Sequence, residues 1–522
     1  MRAMLIYQTP ISVMPYGILY IADVFKRNNY ETKLLVNTFK KFYSAEDFVA
    51  AVKEYKPDVI GLSFATLEIQ SVYGLVKSLK ENTNAVIISG GPHPSSRPEE
   101  VVENGSDIVV IGEGELTVGE LCTLFNAGYK ETGKLDLRAA SMLKGLEKIA
   151  GICFKAQDGK ITRTAPRQRN LNLNELSMPD FKLLDQDSFM AADGTLKGFN
   201  KIENGRGCPS QCTFCDRSVF GNKYVNKTSD RIIQDIIDLK KNYGFSDFYF
   251  TDDTFTINKA YVVEVCDKIL KNKLNITWAC ATRVSAVDEN VLRKMKEAGC
   301  RRVIFGIESG DSNWLKRTKK GYSIESALNA LEITDRVGIE VHVNLMYGFP
   351  WETVEHIQNQ IDFVKKVKDK VDIFQTYGAL IPYPNTEVFD EYKKEYNLEG
   401  WWLMDEYQHC GQVIYQNVVN PYEVSIFYQR NLHDDTYVYE DYFFKFSKEY
   451  KKKIRELGFL LGRHNLKAQY KSFFKYNLFY GLGVLSRYVY EITPRLEKKV
   501  FTSIGLKNKL HEFRKIGEFI KK

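Results

Sequence analysis

Three cysteines carry the strongest chemical signal in this sequence. Cys208, Cys212 and Cys215 lie within eight residues, in the stretch ENGRGCPSQCTFCDRS. Three thiolates on one short loop can hold three irons of a cubic 4Fe–4S cluster and leave the fourth iron open to a ligand. A structural zinc site wants four protein ligands, and no fourth Cys or His lies close by in sequence. Cys122, Cys153, Cys266, Cys280, Cys300 and Cys410 are single and widely spaced, which suits core positions better than a second cluster. Polar groups recur downstream: Asp252 and Asp253 in YFTDDTF, Arg283 in CATR, Glu308 and Ser309 in FGIESG, and the turn Gly348-Phe349-Pro350 in MYGFPWET. Each follows a β-rich run. Such residues can grip a polar ligand, or the acids can cap the helix that follows.

The elements that must position these groups alternate regularly. Strands are expected near 199–205, 246–251, 276–282, 301–308, 339–347 and 371–380, with helices near 229–243, 258–272, 288–298, 323–337 and 353–369. Six strand–helix units make a partial (β/α)6 TIM-type barrel, whose chemistry sits at the C-terminal ends of its strands. An earlier alternation has strands near 4–7, 32–36, 58–64, 85–91 and 107–115 and helices between them, as in an open, doubly wound parallel sheet. Loops after its later strands are GLSFAT, SGGPHPSSRPEE and VVIGEGE. Glycines there let backbone approach a bulky ligand, and Ser or Thr hydroxyls offer short polar contacts. Between the two alternations, residues 129–198 read as a linker containing a hairpin with Asp158-Gly159 at its turn. The expected division is therefore 1–128, a linker 129–198, a barrel 199–385, and a mainly helical, aromatic and basic region 386–522.

The cysteine triplet, with aromatic Phe214 before its last member, resembles the signature of the radical S-adenosylmethionine (SAM) superfamily. Preceded by the glycine-rich sheet, it is similar to cobalamin-dependent radical SAM enzymes over roughly residues 1–385. The resemblance implies a Rossmann-like cobalamin-binding domain and a 4Fe–4S cluster held by Cys208, Cys212 and Cys215. It implies SAM contacts from Phe214, Asp252, Asp253, Arg283, Glu308, Ser309, Gly348, Phe349 and Pro350. For cobalamin it implies a groove lined by Ser63, Thr66, Gly90, Gly91, Gly112, Glu113 and Gly114, with Pro92 and His93 shaping the loop after the fourth strand. Many cobalamin domains present Asp-x-His-x-x-Gly after the first strand, the His ligating cobalt. Here that stretch is QTPISVMPYG, so base-off cobalamin without a histidine ligand is expected.

Cobalamin beside a SAM-binding cluster implies a C-methyltransferase: one SAM methylates cobalamin, and a 5′-deoxyadenosyl radical from another activates the substrate carbon. Ring formation or rearrangement, possible on a lipid or other hydrophobic substrate, is the alternative. The intact triplet argues against a cobalamin sensor without catalysis. An external electron donor of flavodoxin or ferredoxin type is implied.

Composition adds limits. The 522 residues are 44% hydrophobic and 27% charged, an ordinary globular balance calling for two or three domains. No apolar run is long enough to span a bilayer and the N-terminus lacks a signal-peptide pattern, so a cytoplasmic location is expected. The net charge of +7 is uneven. Residues 448–522 carry 19 Lys and Arg against 6 Glu, a local +13 that leaves −6 on the rest. A basic, aromatic tail of this kind can lie on anionic lipid at the cytoplasmic face or form a solvated face of a helical cap. No nucleic-acid module accompanies it, and no nucleic acid partner is expected.

Overall fold

Near-continuous apolar runs such as VIGLS and VIISG make strands that must be covered on both faces, and a parallel sheet with helices on each side does this. The computed structural model describes residues 1–11, 15–38, 41–169, 172–185, 201–404, 444 and 446–476. Its first sheet contains β1 (Arg2–Ile11), β2 (Glu31–Thr38), β3 (Val59–Ser63), β4 (Val86–Gly90), β5 (Ile108–Val110), β6 (Ile152–Lys155) and β7 (Ile161–Arg163). The strand order is β2-β1-β3-β4-β5-β6-β7, parallel through β5. Strand alternation divides β1 between two cores. Ala3 and Leu5 join the helices Tyr16–Arg27 and Glu115–Thr132, whereas Met4 and Ile6 join Ala45–Tyr55 and Ile69–Asn82.

The Asp158-Gly159 hairpin forms as expected, with Gly159 at φ +83°. It is no free linker, however: β6 pairs antiparallel with β5, so the hairpin extends the first sheet by two strands.

Then come β8 (Lys201–Ile202), the antiparallel pair β9 (Gly205–Arg206) and β10 (Val225–Asn226), β11 (Asp247–Phe250), β12 (Thr277–Thr282), β13 (Cys300–Glu308), β14 (Glu340–Tyr347) and β15 (Ile373–Ala379). The second sheet runs β15-β14-β13-β12-β11-β8, wholly parallel and in sequence order. Its two edges do not pair, so the barrel is partial. The single strand expected near 199–205 is two short strands separated by Glu203 and Asn204.

The open edge at β15 is covered by the helix Lys448–Tyr476, which also packs on the helix Val354–Val367. Tyr450, Ile454, Leu457 and Leu461 are buried at helical spacing. Asn465 then treats the edge strand as a partner: its side chain accepts from Phe374 N at 2.9 Å and donates to Phe374 O at 2.8 Å. An exposed strand edge is thereby closed. Among the described residues no helix is long and apolar enough to cross a membrane. Most of the aromatic stretch after Met404, Cys410 and the tail beyond residue 476 lie outside the described residues.

Candidate functional site

The cysteine loop leaves β9 through Gly207, at φ +82°, where a side-chain Cβ would stand 2.4 Å from Lys223 O. Only glycine fits there. Arg217 ties the loop across itself to Ser210 O at 2.8 Å, and Thr213 bridges outward to Thr318 and Val388 through backbone bonds. Cys212 is buried, Cys208 half-buried and Cys215 exposed, and all eight described cysteines are free thiols. Although Cys215 is open at the surface, desolvation by the surrounding loop, then the neighbouring Cys212, Asp253 and Cys208, push its thiol up to about 11. Three thiolates so placed require cationic charge among them, which irons supply. Among the described residues no three His, Cys, Asp or Glu side chains converge as a single metal ion requires. A cubane, with one thiolate per iron, is the group this loop fits.

Around the loop stand the strand-end residues expected from sequence. Arg283, just past β12, donates from Nη1 to Cys212 Sγ at 3.6 Å. Glu308 ends β13 at φ +70°, with its half-buried carboxylate 3.5 Å from Lys320 Nζ. Burial raises the Glu308 carboxyl, against the opposing pull of Lys320 and Arg283. Asp252 is 2% exposed; its Oδ1 accepts from Asn204 at 2.9 Å and from the Tyr224 hydroxyl at 2.8 Å. Its Oδ2 is buried without a partner, and desolvation lifts the carboxyl to about 6. Asp253 beside it is exposed. Neither Asp252 nor Glu308 caps a helix, because Asn258, Asp288, Asp311 and Ser323 do so. Their side chains are thus available to a ligand. Ser309 is not: fully buried, its hydroxyl accepts from Asp311 N at 3.1 Å and shapes the turn.

Gly348, at φ +90°, opens the Gly-Phe-Pro turn. Phe349 is buried edge-on to Phe214 of the cysteine loop and to Trp314. Two residues past Pro350, the buried Glu352 accepts from Gly348 N at 2.7 Å, Trp314 Nε1 at 2.5 Å and the Tyr450 hydroxyl. Desolvation raises its carboxyl to about 7, although all three bonds oppose the shift. The C-terminal helix is therefore joined to this turn.

On the cobalamin-type sheet, Ser63 and Gly90 end β3 and β4, and Gly91 follows at φ +103°. A Cβ on Gly91 would meet Ser63 Oγ and Phe64 O at 3.0 Å, so glycine keeps this cradle open. Gly112, at φ +79°, is bonded through its N–H to Ser95, and Gly114 starts the next helix. Two residues expected to line the groove, Thr66 and Glu113, and His93, expected to shape the loop beside it, use their side chains internally. His93 is fully buried, with Nδ1 3.1 Å from Thr66 Oγ1, Nε2 3.3 Å from Glu100 and its ring against Phe64 and Trp402. Thr66 is its partner, and Glu113 binds Arg206 and Arg169, each at 3.1 Å.

These pairs show how the halves meet. Arg206, just before the cysteine loop, also binds Glu115 and Glu203. Ser218, just after it, donates to Pro92 O at 3.3 Å. Loops at the C-terminal ends of both sheets thus touch. Sequence reasoning missed Asn204, Arg206, Tyr224, Lys320 and Tyr450: Asn204 and Arg206 lie in the cysteine stretch itself, just before Cys208, whereas Tyr224, Lys320 and Tyr450 lie in no motif that would flag them. An open cavity of about 820 Å³ reaches the cysteine loop at Pro209, Ser210 and Gln211 and is walled by Arg283, Lys320 and Tyr322.

Comparison with known proteins agrees with this geometry. The B12 binding domain family matches residues 9–122 and the Radical SAM superfamily matches residues 202–364. The chain is 31% identical to the uncharacterized methyltransferase PH0819 of Pyrococcus horikoshii, over 72% of this chain and 78% of that protein. It shares its fold with the cobalamin-dependent radical SAM enzyme OxsB, solved with aqua-cobalamin and SAM bound (TM-score 0.64, 15% identity, 98% of this chain and 75% of that one). It also shares it with the radical SAM methyltransferase TsrM of Kitasatospora setae, solved with cobalamin and a [4Fe-4S] cluster (TM-score 0.59, 19% identity, 76% and 75%). Built on a cobalamin-type sheet facing a three-cysteine barrel loop, and using cobalamin, a 4Fe–4S cluster and SAM as cofactors, the chain is an enzyme of the cobalamin-dependent radical SAM family.

Proposed function

We propose that the enzyme is a C-methyltransferase that moves a methyl group from SAM to an unactivated carbon of a small molecule. The observation that carries this is the contact between Ser218 and Pro92 and between Arg206 and Glu113, which sets the cobalamin-side loops against the cluster loop. Methyl donor and radical source then open on one space. When bound, cluster and SAM supply the 5′-deoxyadenosyl radical, and cobalamin supplies the methyl group.

The chain's own residues have distinct tasks. Cys208, Cys212 and Cys215 would hold three irons of the cluster, and Arg283 orients Cys212 through its N–H. With SAM bound, the unpartnered Oδ2 of Asp252 and the exposed Asp253 would accept from its amino group, and Arg283 and Glu308 would serve its methionine or ribose part. Phe214 and the Gly348–Pro350 turn, whose rings already meet, would hold adenine. Ser63, Gly90, Gly91, Gly112 and Gly114 line the cobalamin groove, with Pro92 shaping its rim. The only His before residue 300 is His93, and its burial supports cobalamin held without a histidine ligand.

Anaerobic reconstitution with methyl-deuterated SAM tests the reading. Formation of both 5′-deoxyadenosine and S-adenosylhomocysteine supports methylation. Deoxyadenosine without S-adenosylhomocysteine overturns it in favour of cyclisation or rearrangement.

A further inference from the structure

The helix Lys448–Tyr476 docks by apolar contact, yet its first turn buries a hydroxyl that docking does not need. Ile454, Leu457 and Leu461 are buried along it, and Asn465 closes the strand edge at Phe374. Tyr450, one turn before Ile454, is 3% exposed, and its ring stacks on Phe446 with centroids 4.4 Å apart. Phenylalanine would fill the same space with no polar atom to satisfy. What the hydroxyl adds is a grip on the Gly-Phe-Pro turn. It donates to Glu352 Oε2 and accepts from Gly348 N at 3.1 Å, and that same N–H reaches Glu352 Oε2 at 2.7 Å.

Glu352 carries this grip to the rest of the turn. Its backbone N–H donates to Phe349 O at 2.9 Å, and its Oε1 accepts from Trp314 Nε1 at 2.5 Å. The Trp314 ring packs edge-on to Phe349 at 5.0 Å between centroids and lies 6.1 Å from Phe214, which stands between Cys212 and Cys215. One carboxylate therefore sets both the backbone of the turn and the ring that backs it. Without the Tyr450 hydroxyl, Oε2 keeps only the Gly348 N–H, and the carboxylate gains room to turn away from it.

We propose that Tyr450 is a positioning residue of the SAM site: acting through Glu352, it fixes the Gly348–Pro350 turn in the shape that receives adenine. The proposal rests on the reading of that turn as the adenine side of the site. A helix outside the barrel strands thereby completes a site at their C-terminal ends.

The test is equilibrium dialysis of labelled SAM against the full-length, cluster-reconstituted enzyme, kept anaerobic and without reductant so that no SAM is cleaved. Tyr450→Phe should raise the Kd for SAM about five- to tenfold, as expected for one lost hydrogen bond, and the KM for SAM in deoxyadenosine formation by the same factor. Its kcat should stay within about twofold of wild type, with iron and cobalamin contents unchanged. 5′-Deoxyadenosine should compete less well in step with SAM, whereas methionine should compete as before. Added to Glu352→Gln, Tyr450→Phe should change the Kd by less than about twofold, because the route through Glu352 is already broken. Leu461→Ala, about three helical turns further on, opens a cavity without touching the turn. It should lower the thermal midpoint more than Tyr450→Phe does and leave the Kd for SAM unchanged. An unaltered Kd in Tyr450→Phe would refute the assignment. So would an equal loss of SAM binding in Leu461→Ala, which would reduce the hydroxyl to one packing contact among many, or a fully additive effect with Glu352→Gln. A matched loss for methionine would remove the turn from adenine and the proposal with it. Absence of S-adenosylhomocysteine in turnover would sink the methyltransferase reading alone, while dialysis would still decide the role of Tyr450.

Discussion

Arg206 holds the two halves of the enzyme together, and its replacement by methionine has a calculable cost. The guanidinium is buried, with 3% of its side chain exposed. It meets Glu203 at 3.0 Å, Glu113 at 3.1 Å and Glu115 at 2.8 Å, and it lies over the rings of Tyr20 and Phe220. Methionine keeps much of the volume but leaves three carboxylates, each no more than 11% exposed, with only Arg169 remaining beside Glu113. Breaking a buried ion pair on one side costs about 3–5 kcal/mol, because the remaining charge stays desolvated. For a unit of roughly 200 residues that lowers the thermal midpoint by about 6–20 °C. Calorimetry of the anaerobically purified protein measures it. Proteolysis between residues 164 and 200 should accelerate as the halves separate. Adding Glu113→Gln, Glu115→Gln and Glu203→Gln to Arg206→Met removes the stranded charges and should restore most of the loss. A shift below about 2 °C, or no recovery in the combined variant, would refute the clamp.

Other consequences are equally direct. Glu352 has a folded-state carboxyl near 7, above its ordinary 4.5, so the folded state binds the extra proton between those values. Stability therefore falls as pH rises from about 4.5 to about 7, by about 3 kcal/mol, and is flat above. Glu352→Gln should lack that decline; equal pH slopes in thermal midpoint for both proteins would contradict the assignment. Asn465→Ala strands the N–H and C=O of Phe374 at the barrel edge, costing about 2–4 kcal/mol, and should release the C-terminal helix to limited proteolysis. Gly207→Ala forces a methyl group to 2.4 Å from Lys223 O at a positive φ. It should yield protein with normal cobalamin uptake but reduced iron content by colorimetric assay, whereas full iron loading would show that the loop tolerates the distortion.

What the sequence determined by itself was local. Eight residues suffice to place three thiolates on one loop, because that spacing is a property of a short backbone segment. The strand–helix alternation was likewise legible, since apolar periodicity is written into each segment separately. Even the Asp158-Gly159 turn was readable, from residues that tolerate its backbone angles. Only tertiary structure decided where that hairpin pairs, and it chose the edge of β5. It also decided that His93 serves the core, that Glu113 binds Arg206 across 93 residues, and that Tyr450 reaches Glu352 across 98. None of these partners leaves a periodic trace in the chain. A buried charge or hydroxyl must find a mate to offset its desolvation, but which mate it finds depends on how the sheets and the C-terminal helix pack. The cofactor-binding loops could therefore be read from single segments, whereas the groups that hold those loops in register could be read only from the folded molecule.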